Sequence, residues 1–355
     1  MAENYCNPWG QVRMGKILED LDAMAGNIAM RHTRQADACR PLVIVTAGVD
    51  RIKLLGRAGI NEDMVLEGAV TWTGRSSMEI GMQVHTAGRL WICANFTFVA
   101  RDPETGRAAA VNKLIINTKE EQTLFDLADA RQREKKGKRK KSKTQFDRQH
   151  TPEQARRMQD LLDKAAPLKR MPALAPKDAI LMYKTQLSNA LTCQPVHQNI
   201  HGRVFGGFLM RRAFELAFAT AHLFSGGRPQ FLEVDDVSFK LPVSIGDLLQ
   251  LESVVLYTVQ KDAKTEGGVN VKDHPEIHVE VVANVSDPGK VTSNMSNSFN
   301  FTFCVPDKDE VLNVYPGTVV EAERVVRMMT LDEDQERHDE EAAEADPSGN
   351  GPACR

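Results

Sequence analysis

From Gly15 onward the apolar residues Ile17, Leu21, Met24, Ala25 and Ile28 recur at helical spacing. This stripe predicts an amphipathic helix running to about Arg31. A second stretch of the same kind runs from Gly207 to about Phe224, again opened by glycine. After each helix the pattern changes to alternation or to short apolar runs, which read as strands. The first set covers 66–73, 78–84 and 90–99; the second covers 231–239, 249–259, 277–285 and 296–305. One helix followed by a long antiparallel meander predicts a sheet wrapped around a single central helix, which is an α+β fold.

The two stretches are versions of one another. Asn7, Gly10 and Gly15 recur 192 positions later as Asn199, Gly202 and Gly207. Val49-Asp50 recurs as Val234-Asp235, and LEGAVTWT at 66–73 matches LESVVLYT at 251–258, both at an offset of 185. NFTF at 95–98 returns unchanged at 300–303. The order is kept and only gap lengths differ, so the chain reads as two copies of one unit.

A different kind of sequence joins them. Residues 120–134 are charged and compatible with a helix, 135–143 is a basic run, and Thr151-Pro152-Glu153-Gln154 is a helix start with proline in the first turn. Pro167, Pro172 and Pro176 close this stretch. The expected organisation is a first unit at 1–116, a charged linker at 117–178, a second unit at 179–331 and an acidic, disordered tail at 332–355. An apolar run at 180–191 predicts a first strand ahead of Asn199. Only six residues precede Asn7, so the first unit is expected to be short of that strand, as a truncated N-terminus would leave it.

Composition narrows the class. The 355 residues are enough for two domains. A net charge of -3 does not suit nucleic-acid or anionic-membrane binding, so neither is expected as a partner. No run approaches the length of a membrane-spanning helix. Six scattered cysteines, none in a CxxC pair, offer neither a disulfide framework nor a zinc ribbon. His197 and His201 have metal-like spacing, but Gly202 follows and no third ligand is evident; no nucleotide fingerprint is present. No cofactor or metal is expected.

The strings HQNIHGRVFGGFLMRRAFELAFATA at 197–221, VDDVSFKLPVSIGDLL at 234–249 and RMGKILEDLDAM at 13–24 resemble the acyl-CoA thioesterase 9 type of double-hotdog thioesterase. The resemblance covers nearly all of the chain outside the basic linker segment and the tail. It implies tandem hotdog folds, an acyl-CoA substrate, thioester hydrolysis and a mitochondrial location, with the cytoplasm as second choice. It also implies a homo-oligomer assembled through the hotdog sheets.

Thioester hydrolysis needs donors for the developing oxyanion and an activated water or a direct carboxylate attack. Gly206 and Gly207 open the second helix, where free N–H groups face outward, and fit the donor role; as glycines they could equally serve a tight turn or close packing. On the first helix Asp20 and Asp22 flank the stripe centred near Leu21, and Glu19 points away from it into solvent. A lone helical aspartate is ordinarily a surface charge. The resemblance implies more: an Asn of one unit meets an Asp of the other, which assigns Asn199 to orienting and Asp22 to the general base, or less readily the nucleophile. The pseudo-symmetric site would combine Asn7 with Phe214, which has no acid–base chemistry. That predicts one working and one degenerate site, with Glu215 one position out of register for a rescue. Asp235 and Asp236 are read as bracing a strand, and the basic run as solvated. The rival readings are a hotdog dehydratase using His197 or His201, and a catalytically dead acyl-CoA-binding protein.

Overall fold

The computed structural model describes residues 3–34, 41–56, 58–144, 150–200, 202–260, 274–287, 289 and 292–345. Helix α1 (Met14–Thr33) is followed by β1 (Val43–Leu54), β2 (Met64–Thr73), β3 (Ser77–Thr86) and β4 (Arg89–Arg101). Helices α2 (Lys119–Thr144) and α3 (Pro152–Arg170) come next, then β5 (Ala179–Leu181) and β6 (Leu187–Thr192). The second helix-and-meander comprises α4 (Gly206–Ser225), β7 (Gln230–Phe239), β8 (Leu248–Val259), β9 (Glu276–Asp287) and β10 (Thr292–Cys304). Strand β11 (Asn313–Tyr315) and helix α5 (Val319–Ala345) complete the chain.

Nine strands form one antiparallel sheet in the order β2-β3-β4-β1-β7-β10-β9-β8-β6. Its halves meet where β1 pairs with β7. The 185-residue offset maps that ladder onto itself: Gly48 opposite Ser238 becomes Lys53 opposite Glu233, and Val49 opposite Val237 becomes Ile52 opposite Val234. The bulges correspond as well. Against β4, β1 skips from Thr46 to Gly48; against β10, β7 skips from Phe231 to Glu233. Strand β1 falls outside the runs read as strands, because Asp50, Arg51 and Lys53 interrupt its apolar pattern. The strand expected over 180–191 is divided: β5 pairs in parallel with β11, residues Met182–Thr185 form a 3-10 turn, and β6 pairs with β8.

The core lies between the sheet and helices α1 and α4. Strand β3 buries Met78, Ile80, Met82 and Val84 in alternation, in one cluster with Ile17, Leu18 and Leu21 of α1. Each fully buried leucine contributes about 1.5–3 kcal/mol. Helices α1 and α4 pack directly on each other. A Cβ on Gly207 would lie 2.8 Å from the Glu19 carbonyl oxygen, so only glycine lets the two backbones approach this closely.

The other face of the sheet is covered too, which corrects the linker and tail expectations. Helix α2 lies across it: Asp129 accepts from Trp72 Nε1 at 2.9 Å, and Arg131 and Gln132 donate to the fully buried Glu79 at 2.6 and 3.0 Å. Within the basic run, Lys135 pairs with Asp50 and Lys136 lies 5.4 Å from the Trp72 ring centre. Helix α5 does the same for the second half. Asp332 accepts from Tyr257 Oη and lies 3.3 Å from His278 Nδ1, and Arg324 Nε donates to Glu280 at 2.8 Å. The acidic segment expected to be disordered from Asp332 is helical to Ala345; 346–355 lies outside the described residues. Charge makes the basic run read as solvated and the tail as disordered, yet Lys135 meets Asp50 and Asp332 meets Tyr257 and His278 on the sheet. Thr151 caps α3 in a capping box with Gln154, and Pro167 falls inside that helix rather than after it. Cys6 and Cys193 are free thiols; Cys93 is disulfide-bonded, a pairing that spacing alone does not announce.

Candidate active site

Asp22 sits where α1 meets the start of α4. Its side chain is 1% exposed. Oδ2 accepts the Gly207 N–H at 2.7 Å, and Oδ1 accepts from Thr46 Oγ1 at 3.1 Å. Gly207 is the second residue of α4, so its N–H has no acceptor within the helix and points out from the positive end of the helix dipole. Burial pushes the Asp22 carboxyl up to about 6, against the opposing pull of the Thr46 and Gly207 hydrogen bonds.

The helical stripe predicts Asp22 on a flank beside a cleft. Instead it is buried, because α1 has a second inward face: Gly15 and Asp22 turn to α4, and Leu18, Ala25 and Ala29 are buried along the same line. Glu19, expected in solvent, is drawn in by that packing. It binds Lys16 at 2.9 Å and Arg211 of α4 at 2.9 Å. Asp20 accepts from Tyr5 Oη at 2.6 Å and lies 3.0 Å from Lys16 Nζ.

Asn199 occupies a turn just ahead of α4. Its N–H donates to Arg203 O at 2.6 Å, its Oδ1 accepts from Arg203 N at 3.2 Å, and its carbonyl accepts from Gly202, which adopts φ +74°. The Asn7 turn repeats this geometry with Gln11 and with Gly10 at φ +73°. Both side chains therefore brace turns. Among the described residues, Asp22 takes its hydrogen bonds from Thr46 and Gly207, not from Asn199. The fold brings Asn199 to the same end of α4 as Asp22, where Phe205, just ahead of that helix, donates its N–H to His197 O. Gly206 faces the carboxylate: a Cβ there would lie 3.1 Å from Asp22 Oδ2 and 3.4 Å from Thr46 Oγ1.

The corresponding place in the other half is aromatic. The offsets carry Asp22 onto Phe214 and Thr46 onto Phe231, and these rings meet edge to face at 5.5 Å. Phe214 lies over Gly15 as Asp22 lies over Gly207.

No family model matches the chain. It is 44% identical to acyl-coenzyme A thioesterase 2, chloroplastic, of Humulus lupulus, across 93% of this chain and 76% of that protein. It is 46% identical to acyl-coenzyme A thioesterase 4, mitochondrial, of the same plant, across 93% of this chain and 63% of that protein. To acyl-coenzyme A thioesterase 9, mitochondrial, of Homo sapiens it is 35% identical, across 91% of this chain and 71% of that protein. The chain belongs to the acyl-CoA thioesterase family.

In this acyl-CoA thioesterase Glu215 is tied up in ion pairs. Its Oε1 binds Arg13 at 2.5 Å and its Oε2 binds Arg212 at 2.7 Å. His197 stacks on Phe208 with ring centres 3.9 Å apart, and its Nδ1 accepts from Gln194 N at 3.2 Å. Burial, with Arg211 and Arg212 nearby, lowers its pKa. His201 and the Asp236 side chain lie outside the described residues, and among those described no His, Cys, Asp and Glu cluster could hold a metal. Asp235 pairs with Arg51 at 3.3 Å across the β1–β7 seam. Thr46 is the site residue the sequence did not flag. Its signal was available in the alignment of the copies, where it stands opposite Phe231 at the same offset that pairs Val49 with Val234.

Proposed function

We propose that this chain hydrolyses fatty acyl-CoA to free fatty acid and CoA on two tandem hotdog units, with Asp22 as the general base. The observation that carries the reading is the Asp22–Gly207 bond, in which a buried carboxylate of one unit faces the helix N-terminus of the other. A carboxyl raised to about 6 is mostly ionised at neutral pH yet still basic enough to take a proton. Asp22 and Thr46 hold the water. As it attacks the thioester carbonyl carbon, its proton passes to Asp22. The carbonyl oxygen takes up negative charge facing the first turn of α4, where Gly206 lets it approach the backbone; Gly207, with its N–H on Asp22 and its Cα against the Glu19 backbone, holds the carboxylate instead. The C–S bond then breaks and the CoA thiolate leaves, taking up a proton. Asn199 shapes the turn that borders the thioester. The domain reading follows: hotdog units within 1–116 and 179–331, each with a covering helix drawn from the charged linker or the tail.

The rows around Trp72 and Tyr257 are covered by α2 and α5, so an assembly of copies would meet through these helices rather than through bare sheet. Relatives named as mitochondrial and chloroplastic support an organellar location. The test is release of free CoA from palmitoyl-CoA, followed with a thiol reagent. The wild-type chain should release it, and Asp22→Asn should lose on the order of 100-fold or more while keeping its fold. Full turnover in that variant would remove Asp22 from the mechanism.

A further inference from the structure

A cavity of about 300 Å³ opens at the degenerate half, at the lower end of the size range of ligand pockets. It is lined by Trp9, Trp91, Phe214, Phe218 and Phe231, with Asn7, Arg13 and Glu215 among its polar wall residues. We infer that this cavity is a second acyl-chain site, which binds a fatty acyl thioester and does not cleave it. The inference rests on the proposed role of Asp22, since it defines which half is catalytic.

Three observations support it. The cavity lies where the pseudo-dyad places the counterpart of the Asp22 site, and the turn beside it keeps the backbone pattern of the Asn199 turn. The two polar groups of the Asp22 site are replaced there by Phe214 and Phe231, which turn a reaction centre into an apolar wall. The one carboxylate among the described wall residues, Glu215, has each oxygen on a guanidinium group. An acyl chain thus finds aromatic surface, while its thioester carbonyl meets no group placed to activate water.

Calorimetric titration of the full chain with a thioether analogue of palmitoyl-CoA, a methylene replacing the carbonyl, should count two sites. Gly56 lines the cavity, and a Cβ there meets nothing within 4 Å, so Gly56→Trp should fold, fill the cavity and leave one site with turnover intact. Trp9→Ala should weaken the second site by roughly tenfold, about 1.4 kcal/mol. Trp9 and Trp91 are two of the three tryptophans, so emission quenching on titration follows this cavity independently of the Gly56 variant. A single site in the wild-type chain, or two sites that Gly56→Trp leaves unchanged, overturns the inference. So does a second site that takes palmitate but not the thioether. A failure of the Asp22 reading shows elsewhere, as normal turnover by Asp22→Asn with the site count untouched.

Discussion

Glu19 of α1 and Arg211 of α4 are counterparts under the 192-residue offset, and they bind each other at 2.9 Å. A pseudo-dyad therefore passes between them, and the same axis carries Asp22 over Gly207 and Phe214 over Gly15. The pair lies against the glycine contact that lets the helices touch. Both side chains are mostly buried, so the bond is shielded from solvent more than a surface pair is.

A double-mutant cycle with Glu19→Gln and Arg211→Gln should give a coupling of about 1 kcal/mol by urea denaturation. Coupling indistinguishable from zero would mean that glycine packing alone sets the helix contact.

The pH dependence of hydrolysis follows from Asp22. A general base works only when ionised, so kcat/KM should fall as pH drops through about 6 and level off above 7. Thr46→Val removes one of the two bonds that favour the ionised form, so the midpoint should move up. A profile with no inflection between pH 5 and 7 would contradict the assignment.

The same carboxyl affects stability with a definite sign. Its pKa rises on folding, from an ordinary 3.8 to about 6. The folded state thus holds the proton more tightly than the unfolded chain. That contribution is present below about pH 4 and is lost as pH rises through about 6, a change of about 3 kcal/mol. Asp22→Asn does not titrate, so it should match wild type in stability near pH 4 and exceed it by up to about 3 kcal/mol at pH 8. Equal stabilities at both pH values in urea melts would show that Asp22 is not held in a desolvated site.

Helices α1 and α4 and most of the strands were legible in the sequence because apolar periodicity reports burial against a sheet. The second inward face of α1 was not. Its line runs Gly15, Leu18, Asp22, Ala25 and Ala29, and a glycine and a carboxylate carry no hydrophobic signal. Asn199 was legible as a recurring position, but a turn brace and a substrate contact leave the same mark in a sequence. The docking of α2 and α5 on the sheet escaped for another reason: it rests on charge pairs and capped donors such as Arg131–Glu79, and composition alone reads such segments as solvated.

The last prediction concerns those covering helices. Trp72 and Tyr257 are counterparts at the 185-residue offset, and each is about 5% exposed or less. Trp72 Nε1 donates to Asp129 of α2, and Tyr257 Oη donates to Asp332 of α5. Burying a donor without its acceptor costs about 1–3 kcal/mol, whereas removing donor and acceptor together costs much less. Asp129→Ala and Asp332→Ala should therefore each destabilise by about that amount while leaving kcat unchanged, since neither residue approaches Asp22. In the Asp332→Ala background, adding Tyr257→Phe should recover part of the loss, because the phenylalanine ring keeps the stacking surface against His278 and brings no unpaired hydroxyl. If 332–345 were instead a solvated tail, Asp332→Ala would leave the urea midpoint where it was, and Tyr257→Phe would have nothing to restore.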